Sequence, residues 1–292
     1  MNAMSKTCVM VIGTAILAAL PLQVYAAAVT DDMTAIVDGK EWTLDHDTVT
    51  PDTGPFTIGA SWQSDNRLSV DANNSFTASN GLVIGGSYTW KNILNIHKNA
   101  NVTVEGNLVH GTGVSTGDRI NVIGSGATLH ISGDLDMSNG YNATNNTLEL
   151  SDGGIAVADG DFTLYNHYAY GNSWLELGGG ALFLLGDKTA DFAYGATILS
   201  SIKVWDDVNA QYERVANYFY NGTVTWSATE YLDYLAVDYI ADAAQAVVLG
   251  YSNDFVGYTV LRDVNPIPEP ATVLLFGVGL AGLIRLRIRK RE

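Results

Sequence analysis

The sequence predicts an all-β fold: a right-handed parallel β-solenoid of about five turns of ~26 residues, followed by a β-rich region, with an apolar helix at each end of the chain. Three observations carry the prediction. Alternating apolar pairs recur as Leu68/Val70, Leu94/Ile96, Ile120/Val122, Leu148/Leu150 and Leu175/Leu177, their first members 26, 26, 28 and 27 residues apart. A turn-prone dipeptide returns at the same phase after each pair: Asn73-Asn74, Asn99-Ala100, Gly126-Ala127, Gly153-Gly154 and Gly180-Ala181. Long stretches of helical periodicity are missing between the two terminal apolar runs.

Residues 1–26 hold one positive charge, Lys6, then an apolar run from Cys8 to Leu20, the breaker Pro21 and the small-x-small pattern Val24-Tyr25-Ala26. This is the layout of a secretory signal peptide, cut by signal peptidase between Ala26 and Ala27. Cys8 is the only cysteine and leaves with the signal, so the exported chain has no disulfide and no thiolate ligand. Residues 27–59 are expected to supply an N-terminal strand or cap, with Trp42 and Leu44 in its first strand.

Residues 60–189 are the repeats. Alternation at period two places one set of side chains on a single face. Gly and Asn tolerate the left-handed backbone that tight corners need. After a second alternating pair such as Val102/Val104 or Leu129/Ile131, three copies show Gly-[Asn/Asp]-[Leu/Phe]: Gly106-Asn107-Leu108, Gly133-Asp134-Leu135 and Gly160-Asp161-Phe162. One such unit cannot bury its apolar face alone, whereas stacked copies form a continuous core. The predicted interior comprises those five pairs with Phe76, Val102, Val104, Leu108, Leu129, Ile131, Leu135 and Phe162. A leucine-rich repeat is disfavoured by the lack of its leucine spacing. An antiparallel sandwich would not require the same turn dipeptide at a fixed phase. The copies are similar to the passenger repeats of autotransporter-type adhesins in pattern alone.

Residues 190–264 are richer in aromatics and read as a β-rich cap or small appended domain. Asn221-Gly222 signals a hairpin there, and an Ala-rich patch near 243 suggests one or two helical turns. Residues 265–292 form the tail. Pro268-Glu269-Pro270 precedes an apolar run from Ala271 to Ile284, and the cationic cluster Arg285, Arg287, Arg289, Lys290 and Arg291 follows. Fourteen apolar residues are fewer than the roughly 20 of a stable span, so a helix over 271–288 would be a weak anchor with its basic end in the cytoplasm. Motif, spacing and position together resemble the PEP-CTERM tails of bacterial exported proteins. That resemblance implies a Gram-negative host that makes exopolysaccharide, transient retention in the inner membrane, and cleavage near Pro268-Glu269-Pro270 by an exosortase. The protein would then pass to the cell surface or biofilm matrix.

Charge bounds the passenger. Between residues 27 and 268 lie nine basic and 29 acidic side chains, a net charge near −20. Nucleic acid is excluded as a partner, because phosphate contacts need a basic surface. Catalytic signals are thin. Asp134, Asp136, Asp159 and Asp161 sit beside turns, where solenoid lyases and glycosidases place acidic groups, but Asp next to Gly is ordinary turn chemistry. Gly153-Gly154 through Asp159 lacks the glycine and aspartate spacing of a calcium nonapeptide. His97, His110, His130 and His167 fall at different phases of the repeat and are expected on the solvated surface. The aromatics after Trp205 could stack on sugars, yet buried strand positions are the commoner use. No cofactor, metal or catalytic residue is expected. The sequence points to a non-enzymatic structural or adhesive protein whose partners are exopolysaccharide or other surface components. The alternatives are a β-solenoid polysaccharide lyase or hydrolase and a glycan-binding module.

Overall fold

The computed structural model describes residues 33–264 apart from 139–141, 166–172, 187–188, 194–195, 207–210, 220–221, 227–229 and 233. It is a parallel β-solenoid whose coils each contribute one short strand to each of three faces. On the first face the strands Glu41–Leu44, Arg67–Val70, Ile93–Ile96, Arg119–Ile123, Thr147–Ser151, Trp174–Leu177 and Ala196–Asp206 lie parallel in that order. Their register stacks Trp42, Leu68, Leu94, Ile120, Leu148, Leu175 and Ile198 in one row. The five copies read from the sequence thus occupy five successive coils, and residues 41–58 wind one more coil ahead of them.

Each face buries what alternation demands. All of the interior residues expected from the pattern are at most 1% exposed. The second face stacks Phe76, Val102, Leu129, Ala156 and Phe183. The third stacks Phe56, Leu82, Leu108, Leu135 and Phe162. Next to that row runs another, Ile58, Ile84, His110, Met137 and Leu164. His110 is therefore buried, contrary to the expectation of a solvated histidine. It takes the inward phase that Ile84 and Met137 hold in the neighbouring coils, and period two leaves it no other side. The first corner behaves as its composition requires, with Asn73, Asn99, Gly126, Gly153 and Gly180 all left-handed at φ 60–82°.

The C-terminal region ends all three sheets by reversing strand direction. Gln211–Phe219 runs antiparallel to Ala196–Asp206 on the first face. Thr259–Asp263 runs antiparallel to Leu182–Leu185 on the second, and Leu235–Tyr239 and Glu230–Leu232 add beyond it. Gly222–Thr225 runs antiparallel to Thr189–Ala193 on the third. The hairpin expected at Asn221-Gly222 does not form between its flanking strands: Gln211–Phe219 and Gly222–Thr225 join different sheets. Each open parallel edge offers a full row of unpaired backbone groups, and those edges capture one strand apiece.

Aromatic rings close the core beneath these strands. Phe192 stacks on Phe219 with centroids 4.3 Å apart and meets Trp226 edge-on, while Phe162 meets both Phe183 and Phe192 edge-on. Trp226 is 1% exposed, so this tryptophan is a plug rather than a sugar platform. The Ala-rich patch makes the helix Ala243–Leu249, capped by the Asp242 carboxylate at Gln245 N and ended by left-handed Gly250.

Candidate functional site

Side chains capable of chemistry collect at the corners between faces, where the chain turns and backbone groups lose their strand partners. At the second corner Asn107, Asp134 and Asp161 stack on successive coils. Asn107 Oδ1 accepts from Asp134 N at 3.0 Å, and Asp134 Oδ1 accepts from Asp161 N at 3.0 Å. Asp134 Oδ2 also accepts from Asn107 Nδ2 at 3.3 Å. The preceding glycines are steric necessities. A Cβ on Gly133 would lie 2.2 Å from Asn107 Oδ1, and one on Gly160 would lie 2.4 Å from Asp134 Oδ1. Both oxygens of Asp134 thus hold one coil to the next.

Asp159 ties the solenoid to its cap. His130 Nε2 lies 2.8 Å from Asp159 Oδ2, and the Tyr258 hydroxyl donates to Asp159 Oδ1 at 2.7 Å. That hydrogen bond, with burial and the carboxylate charge, pushes the Tyr258 phenol up to about 12, which makes it a poor base near neutrality. Asp136 lies on the third face in register with Val109 and Thr163, facing outward from the core row. The Gly153–Asp159 stretch forms a corner followed by the strand Ile155–Ala158. His97 is exposed, and His167 lies outside the described residues. Among the described residues, no three His, Cys, Asp or Glu side chains gather as metal ligands.

The third corner holds an arrangement the sequence reading missed. Asn66, Asn92, Asp118, Asn146 and Ser173 occupy equivalent places just before the first-face strands, and all are 0% exposed. Each corner residue takes hydrogen bonds from the coil before it. Asn66 N and Nδ2 donate to Asn92 Oδ1 at 3.3 and 2.8 Å, and Asn92 N and Nδ2 donate to Asp118 Oδ1 at 2.8 and 2.9 Å. Asp118 N donates to Asn146 Oδ1 at 3.0 Å, and Asn146 N to Ser173 Oγ at 3.2 Å. The ladder fits because a glycine one coil earlier leaves room. A Cβ on Gly59, Gly85 or Gly111 would lie 1.9–2.3 Å from the side chain of Asn92, Asp118 or Asn146. The signal was present: an Asn, Asp or Ser two residues before the first member of every alternating apolar pair.

One rung differs. Burial pushes the Asp118 carboxyl up to about 6, against the hydrogen bonds that Oδ1 accepts from Asn92, and its buried Oδ2 has no hydrogen-bond partner among the described residues. In the neighbouring core row, burial holds the His110 imidazole down at about 4, with only the nearby Asp118 main chain opposing it. Elsewhere two arginines pair between coils, Arg67 with Glu41 and Arg119 with Glu149, each at 3.1 Å. In the cap, Arg262 and the Tyr251 hydroxyl converge on buried Asp238 at 3.3 and 2.6 Å.

Residues 266–290 match the PEP-CTERM protein-sorting motif. The chain carries a PEP-CTERM sorting signal. It is therefore an exported protein sorted at the membrane by an exosortase, as the resemblance implied. Pro268, Glu269, Pro270, Arg285, Arg287, Arg289 and Lys290 fall inside the match; they and Arg291 lie outside the described residues, as do Ala26 and Ala27. Among the described residues no helix is long and apolar enough to cross a membrane. Among curated proteins and solved structures, none matches the chain.

Proposed function

We propose that this PEP-CTERM protein is a non-enzymatic structural or adhesive component of the cell surface or exopolysaccharide matrix. One observation supports the reading above others: two of the acidic groups with enzyme-like placement, Asp134 and Asp159, use their carboxylates to hold neighbouring coils and the cap together. Asp134 accepts from Asp161 N and Asn107 Nδ2, and Asp159 bridges His130 to Tyr258. A glycosidase needs one carboxyl group free to protonate and another free to attack or activate water. Here those oxygens are the rungs of a rigid rod.

Such a rod suits a spacer or cohesive element. Its coils exchange backbone hydrogen bonds along the whole length, and its outward side chains repeat at one coil's spacing. After export and exosortase processing it would stand among surface polymers without altering them. The test is direct. Purified residues 27–265 should leave the host's exopolysaccharide at its original chain length, and gene deletion should change matrix cohesion or attachment. Shortening of the polymer by the pure protein, abolished by Asp134→Asn or Asp159→Asn, would replace the scaffold with a hydrolase or lyase.

A further inference from the structure

Trp62 and Tyr88 stack on each other at the loops between the third and first faces, and exposed Trp90 lies two residues beyond Tyr88 in the same loop, where it bridges to Ser64. Trp62 is 73% exposed, Tyr88 45% and Trp90 46%. Trp62 and Tyr88 lie on neighbouring coils with centroids 4.2 Å apart and planes within 4°. Core packing does not account for them, because the interior is filled by the inward rows and these rings stand outside it.

Two further features set the cluster apart from incidental surface aromatics. Trp62 and Tyr88 both have left-handed backbone, at φ 68° and 58°. Bulky residues seldom adopt this conformation, and strain of that kind persists where the surrounding structure imposes it. Here it is imposed by rigid loops. Trp62 N donates to Ser87 O at 3.1 Å, and Asp65 N donates to Trp90 O at 3.0 Å. The strand Thr89–Trp90 pairs in parallel with Ser115–Thr116, and Ser64 bridges to Trp90. The rings are presented by stacked backbone, so holding them in place for a ligand costs little ordering entropy.

The rim is polar. Gln63 is held by Asp38, its Oε1 accepting from Asp38 N at 3.1 Å and its Nε2 donating to Asp38 Oδ1 at 3.3 Å. Ser64 Oγ donates to Asp65 Oδ2 at 2.9 Å. Apolar ring faces edged by carboxylates, an amide and hydroxyls match a pyranose, which offers an apolar C–H face and a belt of hydroxyls. The charge selects among sugars. Asp38 is bound to Gln63, the residue after Trp62, Asp65 lies three residues beyond Trp62, Lys91 is the cation that follows Trp90, and the exported chain is near −20, so a uronate or sulfated polymer would be repelled. The geometry points to a binding site for a neutral polysaccharide at Trp62, Tyr88 and Trp90. This inference rests on the matrix reading above and names its contact.

The test uses the exported protein from its own host in native affinity gels. The gels are cast with hydroxyethyl cellulose, dextran or laminarin as neutral probes and alginate as the acidic control. At least one neutral polymer should retard the protein and alginate should not. Trp62→Ala and Trp90→Ala should each weaken the retardation constant about ten-fold or more, and Trp62→Phe should retain part of it. Unchanged circular dichroism and melting temperature would show that the surface variants fold. Failure of every neutral polymer to retard the protein would overturn the proposal. So would equal retardation of wild type and Trp62→Ala, or self-association by light scattering that Trp62→Ala abolishes in place of glycan binding. The two readings separate in the host. If Trp62→Ala leaves matrix cohesion intact while gene deletion weakens it, only the glycan site fails. If gene deletion has no effect, the matrix role itself fails.

Discussion

Replacing Asp118 by Asn should stabilise the protein at neutral pH, although it removes a hydrogen-bonded charge. The ladder around it is Asn66, Asn92, Asn146 and Ser173, so an amide at this rung restores the local pattern without changing side-chain size. The oxygen of the new amide can accept the same two bonds from Asn92 that Asp118 Oδ1 accepts now at 2.8 and 2.9 Å. What disappears is the cost of ionising a carboxyl whose pKa burial has pushed from 3.8 to about 6. A tenfold change in an ionisation equilibrium corresponds to about 1.4 kcal/mol, so the ionised group costs about 3 kcal/mol above pH 6. The new amide nitrogen takes the place of Oδ2, which is buried without a hydrogen-bond partner among the described residues, and an unpaired donor there returns about 1 kcal/mol or more, which leaves a gain of at most about 2 kcal/mol. For a domain of this size that corresponds to a rise in melting temperature of up to roughly 8 °C.

The sign has a distinctive pH signature. A carboxyl with a raised pKa binds more protons folded than unfolded, so its contribution to stability falls as pH rises from 3.8 to about 6. His110 works the other way. Its pKa falls from 6.5 to about 4 in the fold, so stability is lost as pH falls through that window. In the native protein the two trends oppose each other. The difference between Asp118→Asn and wild type isolates the carboxyl. Urea unfolding at a series of pH values should give a difference near zero below about pH 4 that reaches its full size above about pH 6. A variant no more stable than wild type at neutral pH, or a difference independent of pH, would refute the reasoning.

Gly85→Ala should be destabilising by about 2–4 kcal/mol, because its Cβ would lie 1.9 Å from Asp118 Oδ2 at φ 75°; chemical denaturation measures it. Deleting residues 94–119 joins Ile93 to Ile120, which sits in register with Leu94, so a shorter solenoid should fold. Deleting only 94–106 should set a corner against a strand and abolish the β spectrum and protease resistance, and equal damage from both deletions would count against the stacking argument. Mass spectrometry of the mature protein should find termini near Ala27 and Pro268–Pro270, and full-length protein bearing Arg291 outside the host cell would contradict the processing route.

The core is legible because a solenoid uses one pattern many times. Leu68, Leu94, Ile120, Leu148 and Leu175 announce themselves by spacing, and the left-handed corners at Asn73, Asn99 and Gly126 by composition. The third corner is harder to read. Its ladder mixes Asn, Asp and Ser, and its glycine partner lies on another coil, so neither half looks exceptional alone. His110 misleads because its polar character competes with its phase, though Ile84 and Met137 mark that phase as interior. Trp62, Tyr88 and Trp90 escape notice because they fall in the variable loops between the recognisable pairs. The missing hairpin has a non-local cause: strand partners in the cap are decided by sheet edges built more than twenty residues earlier.

The same edges explain why the cap and the sorting signal can act independently. A parallel coil can always template another, so stacking alone gives no stopping point. The cap stops it by presenting antiparallel strands on all three faces and by filling the end of the core with Phe192, Phe219 and Trp226. Thr259–Asp263 is held between Leu182–Leu185 and Leu235–Tyr239, and Val264 N donates to Tyr234 O at 3.1 Å. The chain is thus anchored through residue 264, and the sorting motif starts at 266. None of the described strands draws a residue from the motif. Cleavage near Pro268-Glu269-Pro270 would therefore remove no described strand, no ladder rung and no part of the aromatic plug, and would leave the coils and their cap unchanged.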